Sequence, residues 1–131
     1  MTETTNTTRI TQVGTAGVPV TDQDRALTFY VEKLGFEKRM DVPYGEGQRW
    51  VEVAPVGAAT TIALAPSREG YPAGIDTGLR LTTEDANAVH ADLLARGVEA
   101  DAEVTPYPVP MFTLRDPDGN RLYIVERPRD R

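Results

Sequence analysis

The sequence predicts an α+β fold in which one unit, strand–helix–three strands, is used twice. Three observations predict it. Two helical stretches with capping residues at their starts each stop at a glycine, Gly35 and Gly97. After each of them come short strand-like runs broken by proline and glycine. Finally, "DQDRALTFYVEKLGFE" (22–37) lies over "EDANAVHADLLARGVE" (84–99) at a shift of 62, with Ala26 on Ala88, Leu27 on Val89, Gly35 on Gly97 and Glu37 on Glu99. The identities are few, and the shared order of elements is the stronger sign of repetition.

The first strand is expected over 9–20, with Ala16, Val18 and Val20 on one buried face. Thr21-Asp22 caps a helix from Asp22 to Leu34, whose apolar residues are Ala26, Leu27, Phe29, Tyr30, Val31 and Leu34. Strands follow at about 36–42, 49–54 and 60–65, separated by Pro43, Gly45, Gly47, Pro55 and Gly57. The Pro- and Gly-rich stretch 66–76 is the seam between halves 9–65 and 77–127. The second half then runs as strand 77–82, helix Glu84 to Arg96, and strands at about 98–104, 110–115 and 121–126. Residues 1–8 read as a polar tail, and "RPRDR" at the end reads the same way. Four strands and one helix cannot cover their own sheet face, so the halves must pack on each other or on a partner chain.

A chain of 131 residues is expected to form a single domain, 9–127, with about two-thirds of its surface buried on folding. Net charge is −6 and the isoelectric point about 4.8, which argues against nucleic acid and anionic membrane as partners. No cysteine is present, which removes disulfides and thiolate chemistry and fits a cytoplasmic location. No signal-peptide pattern and no apolar run of membrane-spanning length occurs. Neither GxSxG, a Walker loop nor a dinucleotide fingerprint is found. "DPDGN" (116–120) lacks the twelve-residue spacing of a calcium loop and reads as a hairpin turn.

Three stretches carry a family resemblance. "VPVTDQDRALTFYVEKLGFE", "TGLRLTTEDANAVHADLLARGVE" and "FTLRDPDGNRLYIVE" resemble, in order and spacing, the first unit, second unit and closing hairpin of the vicinal oxygen chelate superfamily, which includes glyoxalase I, bleomycin-resistance proteins and extradiol dioxygenases. The resemblance implies two βαβββ repeats forming curled mixed sheets around a ligand cup, with the helices on the outer face. It also implies a homodimer and, in many members, a divalent metal in the cup.

The four metal positions that the resemblance implies fall on Thr15, Ala63, Tyr123 and either Gly78 or Thr77. None is a His, Glu or Gln, and the single histidine, His90, lies on the second helix. We therefore expect no metal and no cofactor.

Strand alternation sorts the remaining residues. The helix side takes Val18, Val20, Val51, Val53, Ile62, Leu64, Leu79, Leu81, Phe112, Leu114, Leu122 and Ile124. The opposite face takes Thr15, Gly17, Trp50, Glu52, Thr61, Ala63, Arg80, Met111, Thr113, Arg115 and Tyr123. Hydroxyls, aromatics and opposite charges together suit a small-molecule pocket better than a closed core. The candidate substrate-binding residues are Thr15, Trp50, Glu52, Arg80, Met111, Thr113 and Tyr123. Trp50 and Tyr123 either fill the cup floor or give stacking surface. Glu52 and Arg80 either pair with each other or meet ligand. The loop 105–111 is either a stiff rim or a plain connector.

Two functions remain open. One is a glyoxalase/bleomycin-resistance-like protein that binds a small organic molecule without the family metal. The other is a lyase, isomerase or dioxygenase-type enzyme with an atypical metal site or with acid–base chemistry by Glu52 and Tyr123.

Overall fold

In the computed structural model the described residues are 8–127, so the expected tail and the "RPRDR" ending fall outside them except for Thr8 and Arg127. The elements are β1 (Thr15–Val20), α1 (Gln23–Thr28) running into a π-helical turn (Phe29–Lys33), β2 (Glu37–Pro43), β3 (Arg49–Ala54), β4 (Thr61–Pro66), β5 (Asp76–Thr83), α2 (Ala86–Ala95), β6 (Glu99–Ala100), β7 (Met111–Arg115) and β8 (Arg121–Glu126). They form two four-stranded mixed sheets, ordered β1-β4-β3-β2 and β5-β8-β7-β6. In each sheet the first strand runs parallel to the last, and the other pairings are antiparallel. The fold is therefore α+β with the expected βαβββ unit twice.

Local chemistry sets the helix ends. Asp22 and Asp85 stand at the N-caps, and their carboxylates accept from the backbone N–H groups of Arg25 and Ala88, both at 3.0 Å. Gly35 and Gly97 follow the helical segments at φ near +80°, where a side chain would be strained. The π-helical turn was not visible in the sequence. It lets the adjacent rings of Phe29 and Tyr30 both enter the interior, where they meet edge to face at 5.2 Å.

Two expected strands are shorter than read. Residues 9–14 lie outside β1, and only Val13 and Gly14 touch the sheet, through carbonyls that accept from Thr60 Oγ1 and the Thr61 N–H. The strand expected over 98–104 is cut to β6. Beyond it, Pro106, Pro108 and Pro110 offer no N–H to a ladder, and Asp101 replaces one rung by accepting from the Thr113 N–H and hydroxyl.

All twelve residues assigned to the helix side belong to one apolar interior or pack directly on it. That interior contains residues of both sheets and of both helices, Ala26, Phe29, Tyr30 and Leu93 among them. The two halves thus share a core through their helix-bearing faces. A polar latch closes the joint. Buried Asp116 accepts from Tyr30 Oη at 2.9 Å, from the Asp118 and Asn120 N–H groups, and from Asn120 Nδ2. Asn120, with no exposed surface, also donates to the Pro19 carbonyl at 2.7 Å and accepts from the N–H groups of Gly74 and Ile75. Burial, and then the neighbouring Asp116 carboxylate, push the Tyr30 hydroxyl well above its ordinary pKa, so it stays a donor.

Candidate functional site

The mixed face of the first sheet is built by side-by-side pairing. Glu52 on β3 stands opposite Met40 on β2 and Ala63 on β4; Trp50 stands opposite Val42. Thr15 on β1 stands beside Thr61 on β4. The polar members are linked in a chain. Trp50 Nε1 donates to Glu52 Oε2 at 2.6 Å, Thr61 Oγ1 donates to Glu52 Oε1 at 2.7 Å, and the Thr15 and Thr61 hydroxyls are 2.8 Å apart. Tyr44, on the β2–β3 hairpin, meets the Trp50 ring edge-on at 6.3 Å. Met40, Val42 and Tyr44 keep 42%, 45% and 48% of their surface exposed, so nothing among the described residues covers this side of the face.

At its linker side the first face is closed by Tyr71. A Cβ built on Gly17 would lie 2.6 Å from the Tyr71 hydroxyl, so the close approach requires glycine there. Arg68 in turn lies over the Tyr71 ring, 4.9 Å from its centroid.

On the second sheet, Arg80, Tyr123 and Thr113 lie in one cross-strand row, and Met111 lies in the next, opposite Val125. The Arg80 guanidinium rests 4.6 Å above the Tyr123 ring and donates to the Gly78 carbonyl. Tyr123 Oη donates to Asp76 Oδ2 at 2.7 Å. That bond, together with the Gly78 N–H, Arg121 and Arg80, holds the Asp76 carboxyl below its ordinary pKa against a smaller desolvation effect. At Asp101 burial raises the pKa, but the Thr113 bonds and Arg115 outweigh it and the net shift is downward.

The expected site residues therefore gather in two groups. Thr15, Trp50 and Glu52 lie on one sheet, and Arg80, Met111, Thr113 and Tyr123 on the other. Among the described residues, no hydrogen bond, ion pair or ring contact joins the two groups. Glu52 and Arg80 do not pair; each is engaged within its own sheet. His90 plays no part in either group, its ring bonding the Asp101 carbonyl and meeting Phe112 edge-on at 4.8 Å.

A cavity of about 590 Å³ opens on the other side of the sheets, between the two halves. Leu34, Phe36, Ile62, Leu79, Leu81 and Ile124 line it, and of the expected site residues only Arg80 borders it. This is the seam of the shared core. Its polar lining is Thr60, Thr61, Thr82, Thr83 and Arg80, whose guanidinium is committed to the Tyr123 ring, and it holds neither a carboxylate nor an indole. The mixed faces are better equipped for binding.

Strand pairing also changes one metal position. Thr15 pairs with Thr61, and Asp76 pairs with Arg121 at the corresponding place in the second half. Asp76, not Gly78 or Thr77, is thus the counterpart of Thr15. Gly78, at φ +72°, sits in the register break between Asp76 and Arg80, which spoiled the count from sequence. The donor set becomes one hydroxyl, one carboxylate and one phenol, with none at Ala63. The hydroxyl and the phenol already bond Thr61 and Asp76. Such a set does not fit the family metal, and no group of three or more His, Cys, Asp or Glu able to hold an ion occurs among the described residues. Nor is any described helix long and apolar enough to cross a membrane.

Element order and strand pairing define a protein of two βαβββ repeats. The Glyoxalase/Bleomycin resistance protein/Dioxygenase superfamily model matches residues 9–124, and the chain belongs to that superfamily. It is 37% identical to TnmS3, an antibiotic binding protein from Streptomyces sp. CB03234, with a TM-score of 0.83 over 92% of this chain and 98% of that one. A superfamily member from Sphaerobacter thermophilus is 38% identical, with a TM-score of 0.81 over 90% and 98% of the two chains. YetH of Bacillus subtilis is 32% identical over 120 residues, which is 89% of this chain and 99% of YetH.

Proposed function

We propose that this protein binds a small organic molecule on its mixed sheet faces, without the family metal and without chemical turnover. The observation that carries the reading is the half-buried Trp50 with exposed Tyr44 edge-on against it, beside a fixed set of polar groups, an arrangement with apolar walls and few orienting groups. Similarity to TnmS3, an antibiotic binding protein, supports it. The enzymatic alternative has less behind it. Both Glu52 oxygens already accept bonds, and the Tyr123 hydroxyl already donates to Asp76.

The working form in this reading is a cytoplasmic homodimer. Because the helix-bearing faces meet inside one chain, each mixed face is left open on its far side, where a two-fold partner can shelter it. Sedimentation should then give about 29 kDa, twice the 14.3 kDa chain. A monomer at micromolar concentration would remove the dimer.

The binding test uses the single tryptophan. A library of drug-like and metabolite-like compounds is screened for changes in Trp50 emission, and hits are followed by calorimetry. Saturable one-to-one binding without consumption of the compound is expected. Turnover of a hit, or a screen in which no compound gives saturable one-to-one binding, would overturn the reading.

A further inference from the structure

Reading the first mixed face as a ligand surface leads to a narrower conclusion about what it selects. Glu52 accepts from two neutral donors, Trp50 Nε1 and Thr61 Oγ1. Among the described residues no cation pairs with it. The ion pairs join Arg25 to Asp118, Lys38 to Asp41, Arg39 to Glu37, Arg49 to Asp24 and Asp41, and Arg115 to Asp101. The face therefore keeps an uncompensated negative charge directly beside the only tryptophan.

That placement changes what Trp50 can offer. With its N–H spent on Glu52, the indole presents its π face and no hydrogen bond. Donation to a carboxylate also pushes electron density into the ring, which deepens the negative potential over its face. Tyr44 adds a second ring at 71° to the first, and Met40 and Val42 add polarisable and apolar surface across the strand pair. An acid, two rings and exposed apolar neighbours form a surface suited to an organic cation. The chain's net charge of −6 adds long-range attraction of the same sign.

We propose that the Trp50–Glu52 face selects ligands carrying a flat organic cation, such as a quaternised or protonated nitrogen heteroaromatic ring, laid on the indole with its charge toward Glu52. A neutral ring of the same shape stacks there but gains nothing from the carboxylate. An anionic ring is repelled. Thr61 and Thr15 act as positioning residues that hold the carboxylate under the indole edge.

The test uses three probes of similar shape: N-methylquinolinium, 1-methylnaphthalene and 1-naphthoate. Affinities are measured by calorimetry on the full chain and on Glu52→Gln, because a cation can also quench fluorescence by collision. Glutamine keeps an acceptor for the indole N–H and nearly the same volume, and an unchanged thermal transition confirms that the variant folds. In the wild type the cation should bind about tenfold tighter than the neutral probe, with naphthoate weakest. Added salt should narrow the gap. In Glu52→Gln the cation and the neutral probe should converge to within about twofold. Equal or tighter binding of the neutral probe in the wild type overturns the proposal while leaving the ligand surface intact. A cation preference that survives Glu52→Gln does the same. If no probe binds while a hit from the compound screen does, only the cation proposal falls; if nothing binds at all, both fall.

Discussion

Tyr30 in the first half donates its hydroxyl to Asp116 in the second, 86 residues away, at 2.9 Å and out of contact with water. The pair ties the π-helical turn to the closing hairpin across the joint of the repeats. Replacing Tyr30 by Phe keeps the ring and removes one of four donors from a buried acceptor. We expect a loss of about 1–2 kcal/mol in urea unfolding. A change under about 0.5 kcal/mol would mean that the latch adds nothing to stability.

Acid should weaken the fold as the carboxylate gripped by Arg49 takes up its proton, which it does at lower pH than an ordinary aspartate. Arg49 grips Asp41 through Nε at 2.8 Å and Nη2 at 3.0 Å, and its hydrogen bonds lower the Asp41 pKa from 3.8 to about 2. A carboxyl depressed in the folded state stabilises the fold above its unfolded pKa, and that stability is lost as pH falls through the folded value. The contribution should therefore be whole above about pH 4 and gone near pH 2. Solvent screens this partly exposed pair, so the effect should be modest and should shrink in salt. Thermal melts of Asp41→Asn should show a flatter acid limb than wild type; parallel limbs would rule the pair out as a contributor.

Arg80 and Tyr123 form the second mixed face, and the proposed reading makes it a binding face. Arg80→Met removes the cation but leaves apolar length over the Tyr123 ring, so stability should change little. Any affinity for anionic or carbonyl-bearing ligands should fall. Tyr123→Phe loses the bond to Asp76, and affinity for a ligand that reaches the hydroxyl should drop by about 0.5–1.5 kcal/mol. Calorimetry on hits from the compound screen decides both. Unchanged affinities in the two variants would place the ligand elsewhere.

The last expectation is elemental. Protein purified without chelator should carry no stoichiometric zinc, nickel, manganese or iron, because Thr15, Ala63, Asp76 and Tyr123 offer one carboxylate and no imidazole. About one such ion per chain by mass spectrometry would contradict this and revive the enzymatic alternative.

Much of this architecture was legible because strand alternation is a strict code. Aliphatic residues at every second place put Val51, Val53, Leu122 and Ile124 on the core side, and all four are there. Alternation says which face a residue takes, but not which sheet a face will meet. For that reason alternation left a Glu52–Arg80 pair open as one of two readings, and the two residues do not pair. The contact of Trp50 with Glu52 was within reach, since residues two apart on a strand share a face. Asn120 was not. In "DPDGN" it looks like turn chemistry, and its most informative bond goes to the Pro19 carbonyl, 101 residues away.

The shared interior also changes what the connector between the repeats is for. Residues 67–75 contribute no strand to either sheet and meet the rest through a few points, chiefly Tyr71 against Gly17 and the Gly74 and Ile75 N–H groups on Asn120. Its main service is that of a tether, holding two mutually dependent fragments at high effective concentration. A chain nicked near Glu69 should stay assembled and behave as one particle. The same fragments made separately should each be insoluble and should recover the fold only when refolded together.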